Sequence, residues 1–488
     1  MSPARKPSGT WFGAWLARPF ADFHLIVTIA TLLTMLGLVM VLSASSVEAY
    51  SADGSAYSLF IQQAAFAVLG VVLFYLALRI PLRVLRGISF PVFAISVLAL
   101  VLVLIPGIGS RVQGSRRWFD LGFVSLQPSE IVKVTFIVWG AHLLAARRTE
   151  KSTYKDILLP LVPAGLLVCL LIVLEPNLST TIAVGLVLAA LLWFGGLPVR
   201  LFVTIGVSGL VAALVLALTA GYRSDRVRGF LNSSSDPQGI GYQARQALFS
   251  LADGGIWGRG LGQSRAKWSY LPNAHNDFIF AIIGEELGFL GCALVLGLFA
   301  LFVYTGLRIA SRSSDPFLRL MTATATTWVT GQALINMGYV VGLLPVTGLQ
   351  LPLVSAGGSS LAITLFMFGL IASAARHEPE AVAALHAGQD GRFSRLLRLP
   401  KPEVYSASRA QAARARGGRE PAPARRRGGG DASSRRSIDS DSARRRAGAA
   451  GRGDPARGES RSTMSWRTTR AWEPTYPITH ARERGKPR

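Results

Sequence analysis

Ten stretches of this chain are apolar over roughly 20 consecutive positions, the length that crosses a hydrocarbon layer as a helix. They lie near 23–44, 58–79, 87–105, 130–146, 157–175, 178–197, 199–221, 277–303, 317–342 and 359–376. The pattern predicts an all-α polytopic membrane protein of about ten transmembrane helices, with a large extracytoplasmic loop, 221–276, between helices seven and eight. Half of the 488 residues are hydrophobic and mean hydropathy is +0.39, too apolar for a soluble enzyme carrying so polar a C-terminal tail. The start, residues 1–22, holds Arg5, Lys6 and Arg18 without an A-x-A-like exit, and reads as a retained cytoplasmic segment, not a cleaved signal.

Charge sorts the loops. Arg79, Arg83 and Arg86 follow the second window, Arg147, Arg148, Lys151 and Lys155 the fourth, Arg200 the sixth, and Arg308, Arg312 and Arg319 the eighth. Cationic loops face the cytoplasm, so both termini are expected inside the plasma membrane. Three of the five opposite loops, Ser45 to Tyr57, Pro176 to Asn177 and Pro345 to Gly358, contain no Lys or Arg.

Two outward loops break that rule. Pro106 to Ser129 carries Arg111, Arg116 and Arg117, and Gly221 to Asn276 carries seven cations, including Arg259 and Lys267. Cations held outside against the sorting bias point to an anionic ligand such as a phosphate or lipid headgroup; the alternative is a solvated basic loop. Within the second loop, Ala244 to Ala252 fits a short interfacial helix with Leu248 and Phe249 toward lipid. Gly254, Gly255, Gly258, Gly260 and Gly262 then offer a backbone able to approach a ligand closely.

Beyond the last window the composition changes. Residues after 375 hold 26 Lys/Arg against 12 Asp/Glu, which is +14 of the net +24. Residues 377–488, rich in Arg, Ala, Gly and Ser, are expected to be a disordered basic cytoplasmic tail drawn to acidic lipid or protein; nucleic-acid binding is not expected. Cys169 and Cys292 sit inside apolar windows, which excludes a disulfide framework and a cysteine metal site.

The candidate chemistry is acidic. Asp277, Glu285 and Glu286 lie at and inside the start of the eighth window, and an ionised side chain in hydrocarbon costs roughly 2.5–3.5 kcal/mol even on the lenient insertion scale. Asp277 reads either as a helix cap or as a base at the outer water layer, and Glu285 and Glu286 as buried structural charges. Glu130 and Lys133 share a helix face, as a neutralised pair or as part of a substrate path. Trp118 is an interfacial anchor or a stacking platform. The last outward loop, Leu344 to Ser360, is uncharged and glycine-rich and is expected to line the same cleft as Asp277.

Taken in order, Gly114-Ser-Arg-Arg-Trp118, Gln127-Pro-Ser-Glu130 with Lys133, His275-Asn-Asp-Phe-Ile-Phe280, Gly284-Glu-Glu-Leu-Gly288, Gly342-Leu-Leu-Pro345 and Leu351-Pro-Leu-Val-Ser-Ala-Gly-Gly-Ser359 resemble the SEDS family of bacterial cell-wall polymerases, over residues 20 to 376. The resemblance implies a peptidoglycan glycosyltransferase acting on lipid II, with the essential aspartate at Asp277. It implies substrate contacts among Arg116, Arg117, Trp118, Glu130, Lys133, Arg259, Lys267, His275, Ser355 and Ser359. A class B penicillin-binding protein and other division proteins are the implied partners, with the division branch favoured over the elongation branch and the septum as its site. No cofactor is implied with certainty, and a divalent cation, Mg or Mn, stays open. Asn276, Ser269, Asn273, Thr347 and Ala356 depart from residues common in the family, so no helper carboxylate or last-loop lysine is available. The rival readings are a lipid-linked-sugar transporter and a noncatalytic scaffold.

Overall fold

A computed structural model of the chain describes residue 16 and residues 18–112, 115–120, 122, 125–147, 154–219, 240–265, 274–388 and 398–402. The chain falls into two compact units, Met1–Ala415 and Arg416–Arg488, and the described residues belong to the first. In order the elements are α1 (Ala21–Asp53), α2 (Ser58–Arg79), α3 (Leu82–Gly87), α4 (Ser89–Leu104), β1 (Ser110–Val112), β2 (Ser115–Asp120), β3 (Ser125–Leu126) and α5 (Pro128–Arg147). There follow α6 (Tyr154–Leu174), α7 (Leu178–Phe194), α8 (Val199–Thr219), α9 (Ile240–Gly254), α10 (Ile279–Arg312), α11 (Pro316–Val340), α12 (Ser359–Arg376) and α13 (Pro379–His386).

A helix falls on each of the ten apolar windows. Among the described residues, α1, α2, α5, α10 and α12 contain segments long and apolar enough to cross a membrane, while the apolar parts of α4, α6, α7 and α8 are shorter. Exposed Leu32, Met35, Val68, Val71, Ile95 and Leu294 give these helices an outer surface suited to lipid. The lower hydropathy of α11 has a different cause. Its Thr322, Thr324, Thr326, Gln332 and Asn336 are buried, so it faces protein on nearly every side, where polar side chains can bond to neighbouring helices.

Lipid supplies no hydrophobic drive between helices, so close approach depends on small residues. A Cβ on Gly369 of α12 would lie 2.6 Å from the Phe74 carbonyl oxygen of α2, and one on Gly70 of α2 would lie 3.1 Å from the Ala362 Cα of α12. Elsewhere in the core Phe93 of α4 stacks on Trp139 of α5 at 4.6 Å, and Phe302 of α10 on Phe368 of α12 at the same distance.

Three expectations need correction. The fold is not purely α: the loop before α5 contains an antiparallel sheet of order β1-β2-β3, pairing Arg111 with Arg116 and Phe119 with Leu126. Strands of two to six residues bearing several charges carry too little alternation to be read from sequence. The stretch after the first window, expected as a loop, is mostly helix, since α1 runs to Asp53 and ends on Gly54, whose left-handed φ of 71° closes the N–H onto the Tyr50 carbonyl. Disorder from residue 377 fails for α13, which starts on Pro379 and buries Ala381, Val382, Ala384 and Leu385. That one-sided spacing is invisible in the averaged composition of the tail.

The amphipathic helix expected at Ala244 to Ala252 is longer, spanning all of α9, with Leu248 and Phe249 exposed.

Candidate active site

Asp277 lies, partly buried, in a turn of residues 274–278 just before α10. The N-cap position is Phe278, which makes no side-chain cap hydrogen bond. Three elements hold this turn. From α11, Asn336 Nδ2 donates to the Asp277 carbonyl at 3.0 Å and Tyr339 Oη donates to it at 2.8 Å. From the loop between α11 and α12, the Ala356 N–H donates to the His275 carbonyl at 3.1 Å. From α1, Glu48 Oε2 lies 3.0 Å from His275 Nδ1.

Deeper in α10 the helix breaks. Gly288 adopts φ 69° and ψ −166°, a conformation essentially confined to glycine, and the segment after α9 docks into the gap. The Arg259 and Gly260 N–H groups donate to the carbonyls of Glu285 and Glu286 at 2.9 and 3.0 Å, while the N–H of Phe289 donates to the Gly255 carbonyl at 2.9 Å. Backbone groups freed by a break must be satisfied inside the protein when water is absent. Glycine here serves the approach of two backbones, not of a ligand: a Cβ on Gly258 would meet the Glu286 carbonyl oxygen at 2.2 Å.

Glu285 and Glu286, each 1% exposed, secure the same segment. Glu285 accepts from Ser264 Oγ and from the Arg265 N–H, both at 2.6 Å. Glu286 accepts from Ser43 Oγ of α1 at 2.7 Å and from the Ser264 N–H at 3.4 Å.

Glu130 and Lys133 occupy an interior polar chain. Lys133 Nζ is 2.8 Å from Glu130 Oε1 and 4.9 Å from the Trp328 ring centre, and Glu130 Oε2 accepts from Ser360 Oγ at 2.9 Å. Trp328 Nε1 donates to Gln332 Oε1 at 3.1 Å, and Gln332 donates to the Gln350 carbonyl at 3.0 Å. Ser355 and Ser359 are buried: Ser355 Oγ accepts from the Leu351 N–H at 2.8 Å, and Ser359 Oγ from the Gln127 N–H at 3.4 Å. Gln63 of α2 joins them, donating to the Ser355 carbonyl at 3.1 Å and accepting from the Gly358 N–H at 3.2 Å.

The cations divide by what they touch. Arg117 donates to the backbone carbonyls of Glu175 and Pro176 at 3.2 and 2.9 Å and to Ser115 Oγ at 2.8 Å. Arg259 pairs with Asp253 at 3.0 Å. Lys267 lies outside the described residues. Arg116, partly buried on β2 beside Trp118, has no ion-pair or side-chain hydrogen-bond partner among the described residues. Glu175, in the short connection between α6 and α7, is fully buried with neither carboxyl oxygen hydrogen-bonded. Burial pushes it up to about 8 against the opposing pull of Arg117.

Sequence reasoning named one side of most of these contacts. Ser43, Glu48, Gln63, Ser264, Asn336 and Tyr339 were missed, since each lies in a span or loop remote in sequence from the group it holds. A polar residue inside an apolar window is the available signal, and Asn336 with Tyr339, three apart and so on one helix face, carried it. Among the described residues no three His, Cys, Asp or Glu side chains converge on one point, so they do not form a protein-only cation site.

Residues 23–380 match the family described as "Cell cycle protein", FtsW/RodA/SpoVE. The chain is 58% identical over 423 residues to the "Probable peptidoglycan glycosyltransferase FtsW" of Mycobacterium tuberculosis, covering 87% of this chain and 81% of that protein. It is 38% identical over 355 residues to "Stage V sporulation protein E" of Bacillus subtilis, covering 72% and 96%. Two solved structures share the fold. A component of a peptidoglycan synthase complex matches at TM-score 0.60 and 28% identity, and the rod shape determining protein RodA of Thermus thermophilus at 0.54 and 27%, each covering 75% of this chain and 99% of the other. With its apolar helices and its match over most of its length, the chain belongs to the FtsW/RodA/SpoVE family of multi-pass membrane proteins.

Proposed function

We propose that the protein is an inverting peptidoglycan glycosyltransferase that extends glycan strands from lipid II at the outer membrane face during division, with Asp277 as general base. The observation that carries this reading is Asp277 itself: a partly buried carboxylate on a turn held by α1, α11 and the last outward loop. The chain as a whole is 58% identical over 423 residues to a relative named probable peptidoglycan glycosyltransferase.

In the reaction, the Asp277 carboxylate takes the proton of the acceptor sugar's 4-hydroxyl. That oxygen attacks the anomeric carbon of the donor chain, and the bond to the lipid diphosphate breaks with its electron pair on the departing phosphate. An α-linked diphosphate becomes a β-linked glycan in one displacement, so a single base suffices and no covalent intermediate is needed. Arg116 is the cation assigned to the leaving diphosphate, where a guanidinium offsets developing charge. The proposed topology has ten crossings, both termini in the cytoplasm, and Asp277 outside at the septum. The peptidoglycan synthase complex of similar fold coordinates polymerization with crosslinking, which favours a class B penicillin-binding protein as partner here.

The test is chain growth from fluorescent lipid II by the full-length protein with its penicillin-binding partner, resolved by gel. Asp277→Asn should fold and lose polymerisation by at least about a hundredfold, the scale of a lost general base. Wild-type growth by that variant would refute the assignment, and lipid translocation without chain growth would favour a transporter.

A further inference from the structure

We infer that Asn336 and Tyr339 are positioning residues for the glycosyl transfer, fixing the backbone on which the base is carried. The inference rests on the assignment of Asp277 as that base.

The geometry links four groups. Asn336 Nδ2 lies 3.0 Å from the Asp277 carbonyl oxygen, 2.7 Å from the Leu349 carbonyl oxygen and 2.6 Å from Tyr339 Oη. Tyr339 Oη lies 2.8 Å from each of the same two carbonyls. An amide has two N–H hydrogens and a phenol one. Two carbonyls therefore share three hydrogens, with the third free to link amide to phenol. Both side chains are fully buried, and the Tyr339 ring meets the Phe278 ring edge-on at 5.8 Å. In such a dry setting each bond is strong and each lost donor is costly.

What the exchange joins gives it a role in the reaction. The Asp277 carbonyl belongs to the turn before α10, and Leu349 to the last outward loop, whose Ala356 N–H also bonds the His275 carbonyl. One i, i+3 pair on α11 thus sets the spacing between the base and the loop facing it. The Asn336 Oδ1 atom is buried without a hydrogen bond, so the amide engages the two carbonyls through its donors. A base misplaced by about 1 Å can lose about a hundredfold in rate, so the pair is placed to govern turnover more than substrate affinity.

The donor count makes the experiment quantitative. Tyr339→Phe leaves two N–H hydrogens for two carbonyls and should lower kcat about threefold. Asn336→Leu leaves one O–H for two carbonyls and should lower kcat about tenfold. The double variant leaves none and should lose about a hundredfold, with KM for lipid II within twofold in all three. Rates are taken per folded molecule, with folding measured by size exclusion and Tm, beside Asp277→Asn and on the full-length protein with its partner.

Unchanged kcat in both single variants while Asp277→Asn is inactive would overturn this inference alone. Polymerisation by Asp277→Asn at the wild-type rate would remove its foundation. A KM effect with kcat intact, a larger loss in Tyr339→Phe than in Asn336→Leu, or a Tyr339→Phe chain that loses its fold in place of its rate would each overturn it as well.

Discussion

Replacing Lys133 by methionine separates a brace from a ligand contact. The ammonium is 1% exposed and sits 2.8 Å from Glu130 Oε1 and 4.9 Å from the Trp328 ring centre. Methionine fills much of the same volume, so little cavity forms and the loss is mainly electrostatic. Glu130 would keep one hydrogen bond, from Ser360, and a buried carboxylate stripped of its cation costs about 3–5 kcal/mol. Loss of the cation–π contact adds about 1 kcal/mol. At about 2 °C per kcal/mol for a large domain, Tm in detergent should fall by roughly 8–12 °C. The double variant Glu130→Gln with Lys133→Met removes both charges together and should recover most of that loss, because replacing a buried pair as a unit is far less costly than breaking it. The assay is Tm by tryptophan fluorescence together with KM for lipid II in the polymerisation reaction. An unchanged Tm with KM raised in both the single and the double variant would refute the brace and return Lys133 to the substrate.

Glu175, pushed up to about 8 by burial from an ordinary 4.5, holds a proton in the folded chain that the unfolded chain has released. Its contribution to stability is therefore full below about pH 4.5 and is lost as pH rises toward 8. Glu378, also raised to about 8 by burial and by Asp22 beside it, titrates in the same window, so Glu175→Gln should reduce but not abolish the fall in Tm between pH 5 and 8; an unchanged slope would refute the assignment. Gly288→Ala places a Cβ 2.3 Å from the Gly258 nitrogen and 2.4 Å from the Ile256 oxygen at φ +69°. Strained backbone at about 1–3 kcal/mol and overpacking at about 1–3 kcal/mol should together undock the segment after α9, seen as faster proteolysis at Arg259 and a lowered Tm. Wild-type protection there would show that the segment does not depend on the break.

What each residue's own chemistry decides is legible along the linear chain. Apolar runs mark helices because transfer from water is a property of the side chain and its immediate neighbours. Asp277 was legible for the complementary reason, as a charge where charge is costly, and an ordered set of short motifs around it carried the family. What each polar group touches came from the packing of the helices. Glu286 finds Ser43 across 243 positions, Glu130 finds Ser360 across 230, and the Asp277 carbonyl finds Asn336 across 59. The glycines after α9 announced a permissive backbone, yet it approaches a broken helix and not a ligand. In a dry interior every donor must find an acceptor within the chain. Which acceptor it finds depends on how the helices pack, and no local stretch of sequence contains that.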